Sequence, residues 1–130
     1  MTQTTLPHAH CKSSADLCSH MPETSEFQIV SDVFKQLGDA TRIRIFWILC
    51  HCEECVLNIS AMMGMSSPAV SHHLKLLKAG GLITSRREGK EVYYKAVNTK
   101  QAQLLHHMIE KMVEITCPDP QSVQPQDAAQ

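Results

Sequence analysis

The sequence predicts a mainly α-helical protein with a β-hairpin wing, which is a winged helix-turn-helix fold. Asn58 to Ala79 has the apolar spacing of two short helices joined by a tight turn. Two runs rich in β-branched and aromatic residues, Leu82–Arg87 and Val92–Val97, then flank the segment Glu88-Gly89-Lys90 and predict a hairpin. A helix-turn-helix followed by a basic hairpin is the pattern of a winged helix.

The helix-turn-helix begins with a short apolar helix, Ile59 to Met63. Gly64 is expected to end it, because glycine readily adopts the left-handed conformation found at helix C-termini. Ser66 is expected to cap the second helix, and Pro68 falls in its first turn, where no backbone N–H is required. Apolar residues recur at i, i+4 and i+7 and predict the buried side of this second helix: Val70, Leu74 and Leu77.

The opposite face of the second helix is small, polar and basic, and it carries no carboxylate. Such a face suits phosphate groups and base edges in a major groove, although an ordinary solvated face is the alternative. Charge favours DNA binding, because Ser66 to Lys95 holds six basic and two acidic residues, a local charge of +4, whereas the whole chain is −1. The predicted DNA contacts on the helix and the hairpin tip are Ser66, Ser67, Ser71, His72, Lys75, Lys78, Arg86, Arg87 and Lys90.

Length and composition exclude several classes of protein. A chain of 130 residues suits one domain with tails, and no apolar run approaches the roughly 18–20 residues of a membrane span. No apolar segment of the signal-peptide type begins the chain, so we expect a cytoplasmic protein with no membrane partner. There is no Gly-rich phosphate loop and no nucleophile elbow, which argues against an enzyme.

The chain divides into three predicted parts. Residues 1–25 are a polar arm with cysteine and histidine, expected to be flexible; residues 26–117 form the DNA-binding and dimerisation domain; residues 118–130 are expected to be a disordered tail. Within the domain, apolar periodicity predicts helices from Glu26 to Leu37 and from Ala40 to Cys50.

A last helix is predicted from Thr99 to Ile115. Its two adjacent apolar rows cover nearly half of its circumference, which is wider than packing on one small domain requires. With the first helix, it is expected to form a two-fold homodimer interface. The alternative is that it only covers the core of its own chain.

Three motifs resemble those of the ArsR/SmtB metal-responsive repressors: Gly38 to Ile45, Ser67 to Leu74, and Gly89 to Tyr94. The resemblance covers Phe27 to Val113. It implies a homodimeric winged helix that binds a palindromic double-stranded DNA operator when metal-free and releases it when metal binds. Half-sites about one helical turn apart would suit two recognition helices related by a dyad.

Six cysteines in a cytosolic chain favour metal or redox chemistry over structural disulfides. Thiolates suit soft or borderline ions, here Cd²⁺, Pb²⁺, Zn²⁺ or trivalent arsenic, and no organic cofactor is expected. Cys50, Cys52 and Cys55 cannot share one face of a continuous helix. Either the helix ends near Cys50 and the three converge in the turn, or only Cys52 and Cys55 act together.

The resemblance implies a site that joins cysteines at the start of the helix-turn-helix to cysteines of the N-terminal arm, often from the partner subunit. Cys55 matches the first cysteine of the family motif, but Leu57 stands where the second would be. Cys52 is the expected substitute, with Cys11 and Cys18 completing the site. Two further cysteines are candidate ligands, Cys50 and Cys117, although Cys50 also suits a small buried apolar role.

The family also has a zinc site on the last helix, but here its positions hold Asn98, Lys100, Lys111 and Glu114, so that site is expected to be absent. Four residues of the last helix, His106, His107, Glu110 and Glu114, share its polar face and are interpreted as solvated surface.

Two other functions would also use the cysteines. A thiol redox switch would form disulfides among Cys52, Cys55 and Cys117, and peroxide-dependent release of DNA would favour it. A metal carrier would leave the hairpin and the recognition helix unexplained.

Overall fold

The computed structural model describes residues 5–8, 10 and 13–120. The chain divides between Lys35 and Gln36 into two compact units. The first unit contains helix α1 (Ser13–His20) and all but the last residue of α2 (Thr24–Gln36). Within the described ranges, no helix has the length and apolar character needed to cross a membrane.

Helix α1 lies within the arm that the sequence predicts to be flexible. Ser13–His20 is helical, and both the Ser19 hydroxyl and the His20 Nδ1 lie 2.7 Å from the carbonyl oxygen of Asp16. None of its eight residues is buried. The sequence analysis did not predict this helix, because a short polar helix has no apolar stripe to reveal it.

The second unit is a winged helix-turn-helix, as predicted. Its elements in chain order are α3 (Ala40–His51), β1 (Glu54–Cys55), α4 (Val56–Met63), α5 (Ser67–Ala79), β2 (Ile83–Glu88), β3 (Glu91–Ala96) and α6 (Lys100–Thr116). The helix-turn-helix is α4 and α5, and the wing is the β2–β3 hairpin.

A third strand extends the wing. The antiparallel sheet has the order β1-β3-β2, with Cys55 opposite Tyr93 and Glu54 opposite Tyr94. The sequence analysis did not predict β1, because two residues are too few to show a strand pattern. The segment that contains Cys52 and Cys55 is thus joined to the wing by backbone pairing.

The helix ends follow the predicted local chemistry. The Asp39 carboxylate accepts a hydrogen bond from the backbone N–H of Arg42 at 3.0 Å, which caps α3. Gly64 ends α4 with φ +64°, in the left-handed region that favours glycine, and Ser66 caps α5. These caps confirm the predicted boundaries between α3, α4 and α5 to within a few residues.

The core lies between the helix-turn-helix, the sheet and the flanking helices, and α3 packs against α5, β3 and α6. The buried apolar side chains are Ile45, Phe46, Leu49, Ile59, Val70, Leu74, Leu77, Leu82, Ile83, Ala102 and Leu105. All three residues of the predicted buried stripe of α5 are therefore confirmed. Their burial leaves the polar face of α5 outward.

Within the described residues, exposed large apolar side chains are most numerous on two helices. On α2 these are Phe27, Ile29, Val30 and Phe34, and on α6 they are Leu104, Met112, Val113 and Ile115. The first and last predicted helices thus carry most of the exposed large apolar side chains.

Candidate DNA-binding surface and cysteine site

The predicted DNA-binding residues of α5 lie mostly on its outer face. Five of them are exposed: Ser66, Ser71, His72, Lys75 and Lys78. The Lys78 ammonium also donates a hydrogen bond of 2.6 Å to the hydroxyl of Ser85 on the wing. Ser67 differs, because it is half-buried and its hydroxyl lies 3.3 Å from that of Ser60. Ser67 thus helps to join α5 to α4.

The wing carries its three predicted cations in two different environments. The Arg86 guanidinium donates to the Glu53 carboxylate at 2.6 and 2.9 Å and to the Glu88 carboxylate at 2.7 Å. Arg87 and Lys90 are exposed, and within the described part of the chain neither has a carboxylate within 4.0 Å. Arg87 and Lys90 therefore offer their charge to a ligand more readily than Arg86 does.

Glu53 ties the cysteine segment to the wing. It lies between Cys52 and Cys55 in sequence, and its hydrogen bonds from Arg86 reach strand β2. Those hydrogen bonds outweigh desolvation and lower the pKa of Glu53, and the same carboxylate contacts raise the pKa of Arg86. Both groups are consequently charged at neutral pH.

The three clustered cysteines occupy different local structures. Helix α3 ends at His51, and the backbone N–H of Cys52 still donates to the Ile48 carbonyl at 3.0 Å. Cys50 precedes this end, whereas Cys55 lies in β1. Among the described residues, the three sulfur atoms do not form a group with mutual distances within 4.8 Å. The helix does end near Cys50, as the first alternative requires, but the three thiols do not converge.

Burial separates the thiols further. Cys50 is half-buried, and desolvation, followed by the negative charge of Glu110, raises its pKa to about 11. Cys52 is exposed, yet local desolvation and then the charge of Glu54 raise its pKa above the ordinary range. Ligation of a metal by Cys52 therefore requires the loss of a proton.

The remaining cysteines lie elsewhere. Cys18 is half-buried on α1 in the first unit, and Cys117 is exposed at the C-cap of α6. Cys11 lies outside the described residues. The sensing site as a whole stays a prediction.

A cluster that sequence reasoning missed joins α3 to α6. His51 Nε2 lies 3.0 Å from His106 Nε2, and the Glu110 carboxylate lies 3.2 Å from the first and 2.8 Å from the second. His106 and Glu110 were interpreted as solvated surface, but they contact a histidine of another helix. Their i, i+4 spacing was visible in the sequence, whereas the packing that brings His51 to them was not.

The winged helix-turn-helix fold is that of DNA-binding transcriptional regulators, and comparison with known proteins agrees. The sequence model of the bacterial regulatory protein ArsR family matches residues 39–85. The chain is 40% identical over 77 residues to a cadmium resistance transcriptional regulatory protein CadC homolog of Staphylococcus aureus, covering 58% of this chain and 64% of that protein. It is 35% identical over 80 residues to the arsenic resistance transcriptional regulator ArsR2 of Pseudomonas putida, covering 61% and 69%. This chain belongs to the ArsR family.

Other relatives extend the comparison. The HTH-type transcriptional regulator KmtR of Mycobacterium tuberculosis is 35% identical over 77 residues, and the alignment covers 59% of each chain. The chain therefore spans about three fifths of that relative's length. Among solved structures, the homodimeric winged helix-turn-helix DNA-binding domain of a possible ArsR-family regulator from Mycobacterium bovis is 27% identical, with a TM-score of 0.66 over 75% of this chain and 89% of that one.

Proposed function

We propose that this protein is a cytoplasmic, metal-responsive transcriptional repressor. As a homodimer it binds double-stranded operator DNA when metal-free. It dissociates when a thiophilic ion, Cd²⁺, Pb²⁺, Zn²⁺ or As(III), binds to its cysteines. The names of two relatives, a cadmium resistance regulator and an arsenic resistance regulator, support an effector of this class.

The observation that carries the proposal is the connection between the cysteine segment and the wing. Cys55 lies on a strand paired with the wing strand β3, and Glu53 holds Arg86 on the wing strand β2. A change in the geometry of Cys52 and Cys55 would therefore be transmitted to the wing through backbone pairing and one ion pair. The wing is one of the two elements proposed to contact DNA.

The available side chains suit a soft ion. Cys52 is exposed, and Cys55, three residues further along the chain, is half-buried. Cys11 and Cys18 of the N-terminal region are proposed to complete a thiolate set. The names of the cadmium and arsenic resistance relatives favour metal binding over a thiol redox switch as the use of these thiols.

Homodimerisation would place two copies of α5 on one DNA site. The exposed apolar side chains of α2 and α6 provide surface for such an interface, and the Mycobacterium bovis relative is homodimeric. Two recognition helices related by a dyad require half-sites about one turn of DNA apart. The proposed operator is accordingly palindromic.

Release of DNA follows from linkage between the two sites. If the metal-bound dimer fits the half-sites less well, a coupling of about 1–3 kcal/mol would weaken DNA binding by about 5–150-fold. Operator DNA would weaken metal binding by the same factor, because allosteric coupling is reciprocal.

The test is fluorescence anisotropy of the reduced protein on its own upstream promoter DNA, with Zn²⁺, Cd²⁺, Pb²⁺ and arsenite titrated separately. We expect tight binding that one or more ions release, and loss of that release in a Cys52→Ser/Cys55→Ser variant. Cys117→Ser is a parallel variant, and unchanged release in it would exclude that exposed thiol from the site. Tight binding that is indifferent to every ion would refute the proposal, and release by peroxide alone would favour the redox switch.

A second variant tests the route of coupling. Glu53→Gln keeps every thiol but replaces the carboxylate that holds Arg86. We expect this variant to bind the effector ion with unchanged affinity. The ion should weaken its DNA binding by a smaller factor than it weakens DNA binding of the wild-type protein. An unchanged ratio of DNA affinities with and without metal would exclude this ion pair from the coupling.

A further inference from the structure

The cluster formed by the side chains of His51, His106 and Glu110 lies outside both the cysteine site and the DNA-binding surface. Its three facing atoms are two imidazole Nε2 atoms and one carboxylate oxygen, all within 4.8 Å of one another. His51 comes from the last turn of α3, and the other two residues are one turn apart on α6. No part of the proposed function uses it.

With the Glu110 carboxylate ionised, protons alone cannot satisfy these three contacts at once. If both Nε2 atoms carry a proton and donate to Glu110, their two N–H groups face each other across 3.0 Å. If only one carries a proton, the lone pair of the other faces the carboxylate lone pairs across about 3 Å. Each of these two assignments leaves one repulsive pair, whereas a cation between the three atoms is attracted to all of them.

The distances match those of a first-row metal site. Tetrahedral ligands that each lie 2.0–2.1 Å from Zn²⁺ are separated from one another by about 3.3 Å. The three separations here are 2.8, 3.0 and 3.2 Å, so only small side-chain movements are needed. Two imidazoles and one carboxylate are a ligand set that Zn²⁺ accepts.

The surroundings hold the rings and leave access for an ion. The Trp47 ring lies 4.3 Å from the His51 ring, centroid to centroid, and the two histidine rings meet edge to face at 4.7 Å. The side chains of His51 and Glu110 are 45% and 48% exposed. A cavity of about 280 Å³ opens beside both histidines, so water can occupy a fourth position.

We propose that His51, His106 and Glu110 form a second metal site, which binds Zn²⁺ or a similar borderline divalent cation through nitrogen and oxygen. It differs from the zinc site that the family resemblance implies, whose positions hold Asn98, Lys100, Lys111 and Glu114. It is chemically distinct from the cysteine site, because it has no sulfur ligand. An ion there joins the end of α3, one residue before Cys52, to α6.

The test is direct metal binding without DNA. The full chain carrying Cys52→Ser/Cys55→Ser is stripped of metal and titrated with Co²⁺, whose visible absorption reports its ligands, and Zn²⁺ is then added in competition. We expect one Co²⁺ per chain, without the sulfur-to-cobalt charge-transfer band that a thiolate ligand produces. Absence of Co²⁺ binding, or a strong sulfur band, would overturn the proposal.

Variants in the same background assign the ligands. His106→Ala and Glu110→Gln should each weaken Zn²⁺ binding by at least about 100-fold, because even outer-shell changes cost about 10–100-fold. Glu110→Gln preserves side-chain volume, which guards against loss of the fold. His107→Ala is the matched control, since His107 is an exposed neighbour on the same helix outside the cluster.

Equal loss of affinity in His107→Ala, or none in Glu110→Gln, would refute the assignment. Because the readout is metal affinity in a variant without the cysteine pair, failure of the repressor proposal would leave this result unaffected. Failure of the second site would likewise leave metal-dependent DNA release intact.

Discussion

Replacement of Arg87 by glutamine should reduce the salt dependence of DNA binding by a calculable amount. Arg87 is exposed on the wing, and within the described structure no carboxylate lies within 4.0 Å of it. Each phosphate contact contributes about −0.9 to the slope of log K against log salt concentration. The proposed homodimer would lose two such contacts, so the slope should become shallower by about 1.8.

That change has a measurable consequence for affinity. When salt is raised from about 50 to about 200 mM, the DNA affinity of the wild-type protein should fall by a factor about 12 times larger than the factor for Arg87→Gln. The assay is fluorescence anisotropy of metal-free protein on promoter DNA at four or more salt concentrations. Lys111→Gln is the control, because it removes one positive charge per chain from α6, away from the wing.

Two results would refute this reasoning. If Arg87→Gln left the slope unchanged, the wing would not contact phosphate at this position. If Lys111→Gln reduced the slope by the same amount, the effect would come from net charge rather than from a local contact. Size-exclusion chromatography of both variants checks that the dimer is retained.

Two further predictions concern the stability of the fold. Leu74→Ala should lower the free energy of unfolding by about 2–5 kcal/mol, because Leu74 is 1% exposed and its removal leaves a cavity under α5. Urea unfolding measures this change, and a loss below about 1 kcal/mol would contradict the burial of Leu74. Asp39 has a lowered pKa because it accepts a hydrogen bond from the Arg42 N–H, so its ionised form stabilises α3 fully above the unfolded pKa of about 3.8 and loses this effect as pH falls through the lower folded pKa. The melting temperature of the wild-type protein should therefore exceed that of Asp39→Asn near pH 6, and the difference should shrink as pH falls below about 3.8. A difference that does not depend on pH would contradict the assignment.

Much of the helix-turn-helix was predictable because its signals are local. Asp39, Gly64 and Ser66 mark helix ends through hydrogen bonds and backbone conformations that involve only a few neighbouring residues. The apolar spacing of Val70 and Leu74 identifies the buried side of α5, and the remaining polar face is exposed as a consequence. The DNA-binding interpretation rested on these signals and on local charge.

The features that were missed depend on contacts between distant segments or on weak local patterns. Strand β1 is defined by its pairing with β3, since two residues have no strand pattern of their own. Helix α1 has no apolar stripe, so its composition resembled that of an irregular arm. The attachment of Arg86 to Glu53 joins residues that are 33 positions apart.

The sequence by itself determined most of the order of elements, the caps, the buried stripe of α5 and the presence of the thiols, because each depends on residue type and short-range spacing. Only the tertiary structure decided which basic side chains are paired with carboxylates and that Cys50, Cys52 and Cys55 do not converge. It also brought His51 to His106 and Glu110, which are more than fifty residues away in the chain. The physical reason is that charge neutralisation, desolvation and metal coordination depend on distance in space, which the packing of α3, α6 and the sheet determines.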